Sequence, residues 1–221
     1  MVILTGCKGL DELIEYYEDG IITLIYGPGA SGKTTLCLQC AADLAKNNKK
    51  TIYLSTEGEF SVDRLIQILG DEYVKYLDNI LIIKINDFND QKENIQNLEN
   101  LVKAGKISLI IVDSFTNFYR LELRDKKGQE INKEIASQLT ILKEIAKNHF
   151  IPVLITNQVS DDLKTGYGVK NVGGKFVENF CKCVIELKNY GVYRELMVKK
   201  HKEGEFKKMK FEIRNEGIVK I

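Results

Sequence analysis

The chain of 221 residues has no tryptophan, and no stretch of it approaches the run of about 20 apolar residues that a bilayer-spanning helix needs. The first residues, Met1 to Gly6, lack the basic start and long apolar region of a signal peptide. Together these absences predict a cytoplasmic protein with no membrane contact. Excess charge of either sign is also missing: 32 Lys and Arg stand against 31 Asp and Glu, a formal net charge of +1. There is then no global field to attract or repel nucleic acid, and any such attraction must come from a local patch. The five cysteines are an odd number, and a reducing compartment keeps them as thiols. Cys37-x-x-Cys40 and Cys181-x-Cys183 have the look of zinc ligands, but the first pair falls on a helix and the second in a strand-like apolar run. Small buried hydrophobes are the better reading.

What the chain does have is Gly27-Pro28-Gly29-Ala30-Ser31-Gly32-Lys33-Thr34, preceded by the apolar run Thr23 to Tyr26 and followed by helical spacing from Thr35 to Ala42. A phosphate chain needs many donors converging on its oxygens, and glycines let backbone N–H groups turn inward where a Cβ would block the approach. The helix opening at Gly32 adds the positive end of its dipole, Lys33 reaches the β- and γ-phosphates, and the Thr34 hydroxyl is a ligand for Mg²⁺. The pattern alone arises by chance in on the order of one chain in a hundred of this length. Residues 27–34 with Thr35 are thus the candidate ATP-binding set.

Along the chain, apolar strands are expected at 51–55, 80–85, 107–112 and 152–157, alternating with helices over 62–69, 91–104 and 129–148. That alternation implies right-handed βαβ crossovers and a mostly parallel central sheet flanked by helices. Residues 115–128 read as irregular, and residues 159–175 as a long glycine-containing loop of the kind that is usually functional. The remainder, 181–187, 193–200 and 206–213, reads as hairpins that extend the sheet with antiparallel strands. No separate domain is expected ahead of this α/β core, so one domain over 1–221 is predicted.

Three strand ends point toward the phosphate site, the edge on which open α/β sheets bind ligands. Asp113, after Leu109-Ile110-Ile111-Val112, is placed to hold Mg²⁺ through water. Glu57 stands where a carboxylate can orient and deprotonate an attacking water, although an exposed acidic turn would look the same. Gln158, at the boundary between strand and loop, can sense the γ-phosphate and so move that loop.

Thr56-Glu57-Gly58-Glu59-Phe60 with Arg64, the run Leu109 to Ser114, Tyr119-Arg120, Thr156-Asn157-Gln158-Val159 and Gly173-Gly174 resemble, in order, the motifs of the RecA/RadA recombinase family. The resemblance covers most of the chain. It implies a RecA-like P-loop ATPase core in which Lys33 and Thr34 are Walker A residues, Asp113 is Walker B, Glu57 is the catalytic glutamate, Gln158 is the switch, and Arg64 lies against the adenine. It also implies a DNA path lined by Tyr119, Arg120, Arg124, Lys126 and Lys127 in one segment and by Lys164, Tyr167, Lys170 and Lys175 in the other. Lysines and arginines neutralise phosphates and tyrosines offer stacking faces, although Lys-rich loops are more often merely solvated. The implied partners are single-stranded or branched DNA, a full-length RadA-type recombinase and further copies of this chain.

Departures from the pattern are visible too. The N-terminal DNA-binding domain and the phenylalanine-alanine docking motif of RadA-type recombinases are not seen. Asp161-Asp162 opposes phosphate, and Glu178-Asn179 stands where recombinases place a histidine. Lys200 and Lys202 are either charge-stabilising fingers for a neighbouring subunit's site or a solvated hairpin tip. Two rivals remain at this point: a KaiC-like regulatory ATPase with protein partners and no DNA, and a small-molecule kinase, which the antiparallel extension disfavours.

Overall fold

The computed structural model describes residues 3–58, 60–125, 128–161, 169–171, 174–202 and 206–221. A short helix, α1 (Lys8–Ile14), leads into β1 (Ile22–Tyr26), the P-loop and α2 (Lys33–Lys46); β2 (Lys50–Ser55), α3 (Val62–Leu69), β3 (Ile80–Lys84), α4 (Phe88–Gly105) and β4 (Ile107–Asp113) follow. Next come α5 (Asn117–Asp125), α6 (Gly128–His149), β5 (Val153–Asn157), β6 (Val159–Asp161), β7 (Val169–Asn171) and α7 (Gly174–Phe180). Strands β8 (Cys183–Asn189), β9 (Arg194–Lys200), β10 (Lys207–Arg214) and β11 (Gly217–Lys220) end the chain.

Nine strands form one sheet in the order β11-β10-β9-β8-β1-β5-β4-β2-β3. From β8 to β3 all neighbours are parallel, and from β8 to β11 they are antiparallel. Strands β1, β2, β4 and β5 are buried on both faces, which is why they read as unbroken apolar runs, whereas β3 at the edge is partly exposed. In β4, Leu109 and Ile111 join the core beneath α1, α2 and α3, while Ile110 and Val112 join the one beneath α4 and α6. Each such side chain contributes about 1.5–3 kcal/mol by leaving water.

Helix starts follow their caps. The Ser61 hydroxyl accepts from the Arg64 amide at 3.3 Å ahead of α3, and the Asp87 carboxylate accepts from the Asp90 amide at 2.8 Å ahead of α4. No side chain caps α2; its N-cap is Gly32, in the left-handed region at φ 104°. Those first amides are left for a ligand.

Four features differ from the sequence expectation. Residues 117–125 are helical, not irregular, because Tyr119 gives α5 an apolar anchor against α6. The 159–175 stretch holds the paired strands β6 and β7 and the start of α7, and residues 162–168 and 172–173 lie outside the description. Helix α7 occupies 174–180, burying Val177, and the following strand starts at Cys183. Finally, β11 adds an edge strand, with Ile213 opposite Ile218.

Candidate nucleotide-binding site

Parallel register brings four strand ends to one edge: Tyr26 lies opposite Asn157, and Ser55 opposite Asp113. The chain leaving β1 turns immediately, with the Gly27 amide donating to the Asn157 carbonyl at 3.3 Å. A Cβ at Gly27 would stand 2.4 Å from the Leu187 carbonyl oxygen and 2.8 Å from Ser31 Oγ, so only glycine fits beneath β8. Gly29 has open space on that side, and Ala30 takes φ 55°. Ser31 Oγ is buried with no partner among the described residues. A buried hydroxyl beside the uncapped first turn of α2 suits a phosphate oxygen.

Lys33 is 6% exposed, and its Nζ donates to the Gly27 and Pro28 carbonyls, each at 2.9 Å. Burial lowers its pKa, and the charges of Glu57 and Asp113 oppose that shift. Asp113 lies beneath the cleft, 4% exposed, accepting from Tyr53 Oη at 2.6 Å and from the Thr156 hydroxyl. Burial, then the Asp113 charge, pushes the Tyr53 phenol well above its ordinary range, so it stays a donor. The Asp113–Ser114 peptide is cis.

The cleft itself, roughly 240 Å³, is walled by the P-loop from Gly29 to Lys33 together with Thr34, Thr35, Glu57 and Gln158. Gln158 Nε2 donates to Glu57 at 2.9 Å, and Gln158 Oε1 accepts from Arg120 at 3.3 Å. The two residues singled out as base and switch thus hold one another, and a third from α5 holds the switch. Arg194 and Ile213, from β9 and β10, close the remaining side. Sequence reasoning missed both, since a lone arginine or isoleucine within a strand carries no signal of its own.

Other candidates are placed differently. Arg64 is not among the residues walling this cleft; its guanidinium donates to Gln67 and to the Arg214 and Asn215 carbonyls at 2.6 and 3.2 Å, against the β10–β11 turn. Tyr119 is 8% exposed and donates to Asn132 at 2.8 Å. Its ring packs in the core under α6 and offers no face to a base, which removes it from the DNA-contacting set. Arg120 and Lys175 are exposed. Arg124 lies in the last turn of α5 and Lys170 sits in β7, with their side chains outside the description; Lys126, Lys127, Lys164 and Tyr167 lie wholly outside the described residues.

Lys200 donates to the Cys181 carbonyl at 2.7 Å, and Lys202 pairs with Glu18 at 3.1 Å over the Tyr16 ring. They stand at the opposite end of β9 from Arg194, about 20 Å away at strand rise, and so cannot reach the cleft of their own chain. All five cysteines are buried thiols, and no group of three metal-binding side chains occurs among the described residues.

Strand, glycine loop and helix, with carboxylates and a glutamine at the neighbouring strand ends of a mostly parallel sheet, define a RecA-like P-loop core, a class that binds nucleotide with Mg²⁺. The Rad51 family profile matches residues 1–221. The chain is 39% identical over 223 residues to the DNA repair and recombination protein RadB of Archaeoglobus fulgidus, covering 99% of this chain and 98% of that one. It is 37% identical over 203 residues to RadB of Methanocaldococcus jannaschii, covering 91% and 93%. A solved structure described as the crystal structure of the RadB recombinase superposes with a TM-score of 0.83 at 32% identity, covering 99% of each chain. The chain belongs to the Rad51 family, and within it resembles RadB from end to end.

Proposed function

We propose that this chain binds ATP with Mg²⁺, hydrolyses it slowly, and binds single-stranded or branched DNA in DNA repair and homologous recombination, as an accessory to a full-length RadA-type recombinase. The single observation that carries the recombination reading is the end-to-end likeness to proteins named for DNA repair and recombination. Relatives named for that role also disfavour a KaiC-like regulator with no DNA.

The ATP reading is supported by the loop itself: α2 starts with no side-chain cap, and the buried Ser31 hydroxyl has no partner among the described residues. Thr34 and Asp113 would hold Mg²⁺, which would neutralise charge on the terminal phosphates. Lys33 exchanges its two carbonyl partners for phosphate oxygens. Glu57 orients a water once Gln158 releases it, and Gln158 then turns toward the γ-phosphate. Arg120 and Lys175 support a DNA-facing role by their exposure. Lys200 and Lys202, at the far end of β9 from their own cleft, act in this reading on a neighbouring copy.

The deciding experiment is binding to labelled single-stranded DNA at several salt concentrations, with and without Mg-ATP. The wild type is compared with a Lys164, Lys170, Lys175→Ala triple variant. Binding should weaken with salt, with a log–log slope of about −0.7 per phosphate contacted, and be lost in the triple variant. A folded, ATP-competent protein that ignores DNA at low salt overturns the DNA role and returns the protein-facing regulator.

A further inference from the structure

Arg194 is a charged side chain in the phosphate cleft for which the P-loop pattern has no place. We infer that it is a second phosphate-binding cation, supplied by the chain's own β9, that reads the terminal phosphate of a bound nucleoside triphosphate. This rests on the nucleotide-binding reading above.

Its position is fixed by pairing on both sides. Arg194 lies opposite Asn189 of β8 and opposite Phe211 of β10. Just before it the hairpin turn is stiffened by Tyr190 stacked on Tyr193, with Lys210 Nζ 4.6 Å from the Tyr193 ring centre. A strand residue held this way presents its side chain with little loss of freedom on binding.

The Nε of Arg194 donates to the Ala30 carbonyl at 3.0 Å, its one hydrogen bond among the described residues. A neutral amide would serve that carbonyl equally well, so the contact leaves the positive charge unexplained. A guanidinium has five N–H donors, and one is used here. Lys33 is arranged in the same way, resting on the Gly27 and Pro28 carbonyls. Two cations are therefore parked on the loop carbonyls of Gly27, Pro28 and Ala30, beside the uncapped first turn of α2, and an anion entering there meets both. Lys33 acts as a point charge, whereas a guanidinium offers paired donors in one plane, matched to two oxygens of one phosphate. Glu57 and Gln158, which are placed for the terminal phosphate, share the cleft. The chain thus carries within itself the kind of arginine that many phosphoryl-transfer sites borrow from a neighbour.

Fluorescent N-methylanthraniloyl-ATP and -ADP, titrated with Mg²⁺ into wild type, Arg194→Gln and Arg194→Ala, test this. Arg194→Gln keeps an N–H for the Ala30 carbonyl and removes the charge. It should weaken the triphosphate by about tenfold or more and the diphosphate by less than about threefold, the size of a lost charge-assisted hydrogen bond at one phosphate. Arg194→Ala should do the same, with melting of the nucleotide-free protein reporting that each variant folds. Equal weakening of both nucleotides by Ala, restored by Gln, would make Arg194 a brace for the loop and overturn the inference. So would unchanged affinities in both variants while the wild type binds. If the wild type binds neither nucleotide, the nucleotide reading falls together with it.

Discussion

At Gly27 the backbone runs so close to β8 that a methyl group has nowhere to go, and the obstacle is a backbone carbonyl, not a movable side chain. Gly27→Ala should therefore cost more than about 2 kcal/mol in denaturant unfolding and abolish nucleotide binding, whereas Gly29→Ala, in open space, should leave stability within about 1 kcal/mol. Across the cleft, Glu57→Gln keeps the shape and the partnership with Gln158 but removes the base. Its ATP turnover should fall by about 100-fold or more with ATP affinity unchanged, as single-turnover and binding assays would report. If both fall together, Glu57 is a structural acid. At this scale the loop, Glu57, Asp113 and Gln158 were legible because each follows a strand at the sheet edge that binds ligands. Arg194 was not, because its meaning depends on a hairpin folding back beside residues more than 160 positions earlier. Tyr119 entered the DNA-contacting set through the family resemblance; only packing shows that it is buried.

Among the elements, the long helices and parallel strands were legible from their periods, and the short ones were not. Helix α5 mixes charge with apolar residues and owes its form to contact with α6, while β11 has four residues, too few for an alternation to register. Beyond its pairing with β10, β11 is held by the side chain of Gln39. Gln39 on α2 donates to the Gly6 carbonyl at 2.8 Å and accepts from the Ile218 amide at 2.7 Å, tying the N-terminal turn and the last strand to the P-loop helix. Gln39→Ala leaves both groups without that partner and should cost about 1–3 kcal/mol, read as a lower denaturant midpoint at unchanged slope. Gly217→Ala should be at least as severe: its φ is +124°, and a Cβ would lie 2.5 Å from the Gln39 amide.

For the whole molecule, burial pushes every thiol up: Cys181 and Cys183 to about 12, and Cys7, Cys37 and Cys40 above the ordinary 9.0. In alkali the unfolded chain loses protons that the folded chain keeps, so folding binds protons and stability falls as pH rises. The thermal midpoint should hold steady up to about pH 8 and decline from about pH 9 upward. None of the five thiols should react with Ellman's reagent at pH 8 until denaturant is added. A thiol titrating at once in the native protein would show that its region opens.

The place of β1 in the sheet has a consequence for the order of assembly. The first strand is flanked by β5 and β8, whose residues follow it by roughly 130 and 160 positions, and the loop after β1 takes its shape from the Asn157 and Leu187 carbonyls. On a ribosome the glycine loop emerges long before β5 and β8, and it has no frame until both have followed. Such distant partners make closure slow and leave the apolar β1 exposed meanwhile. A nascent chain stalled before residue 183 should hold no nucleotide, whatever helices it has already formed, and the ability to bind should arrive abruptly with β8.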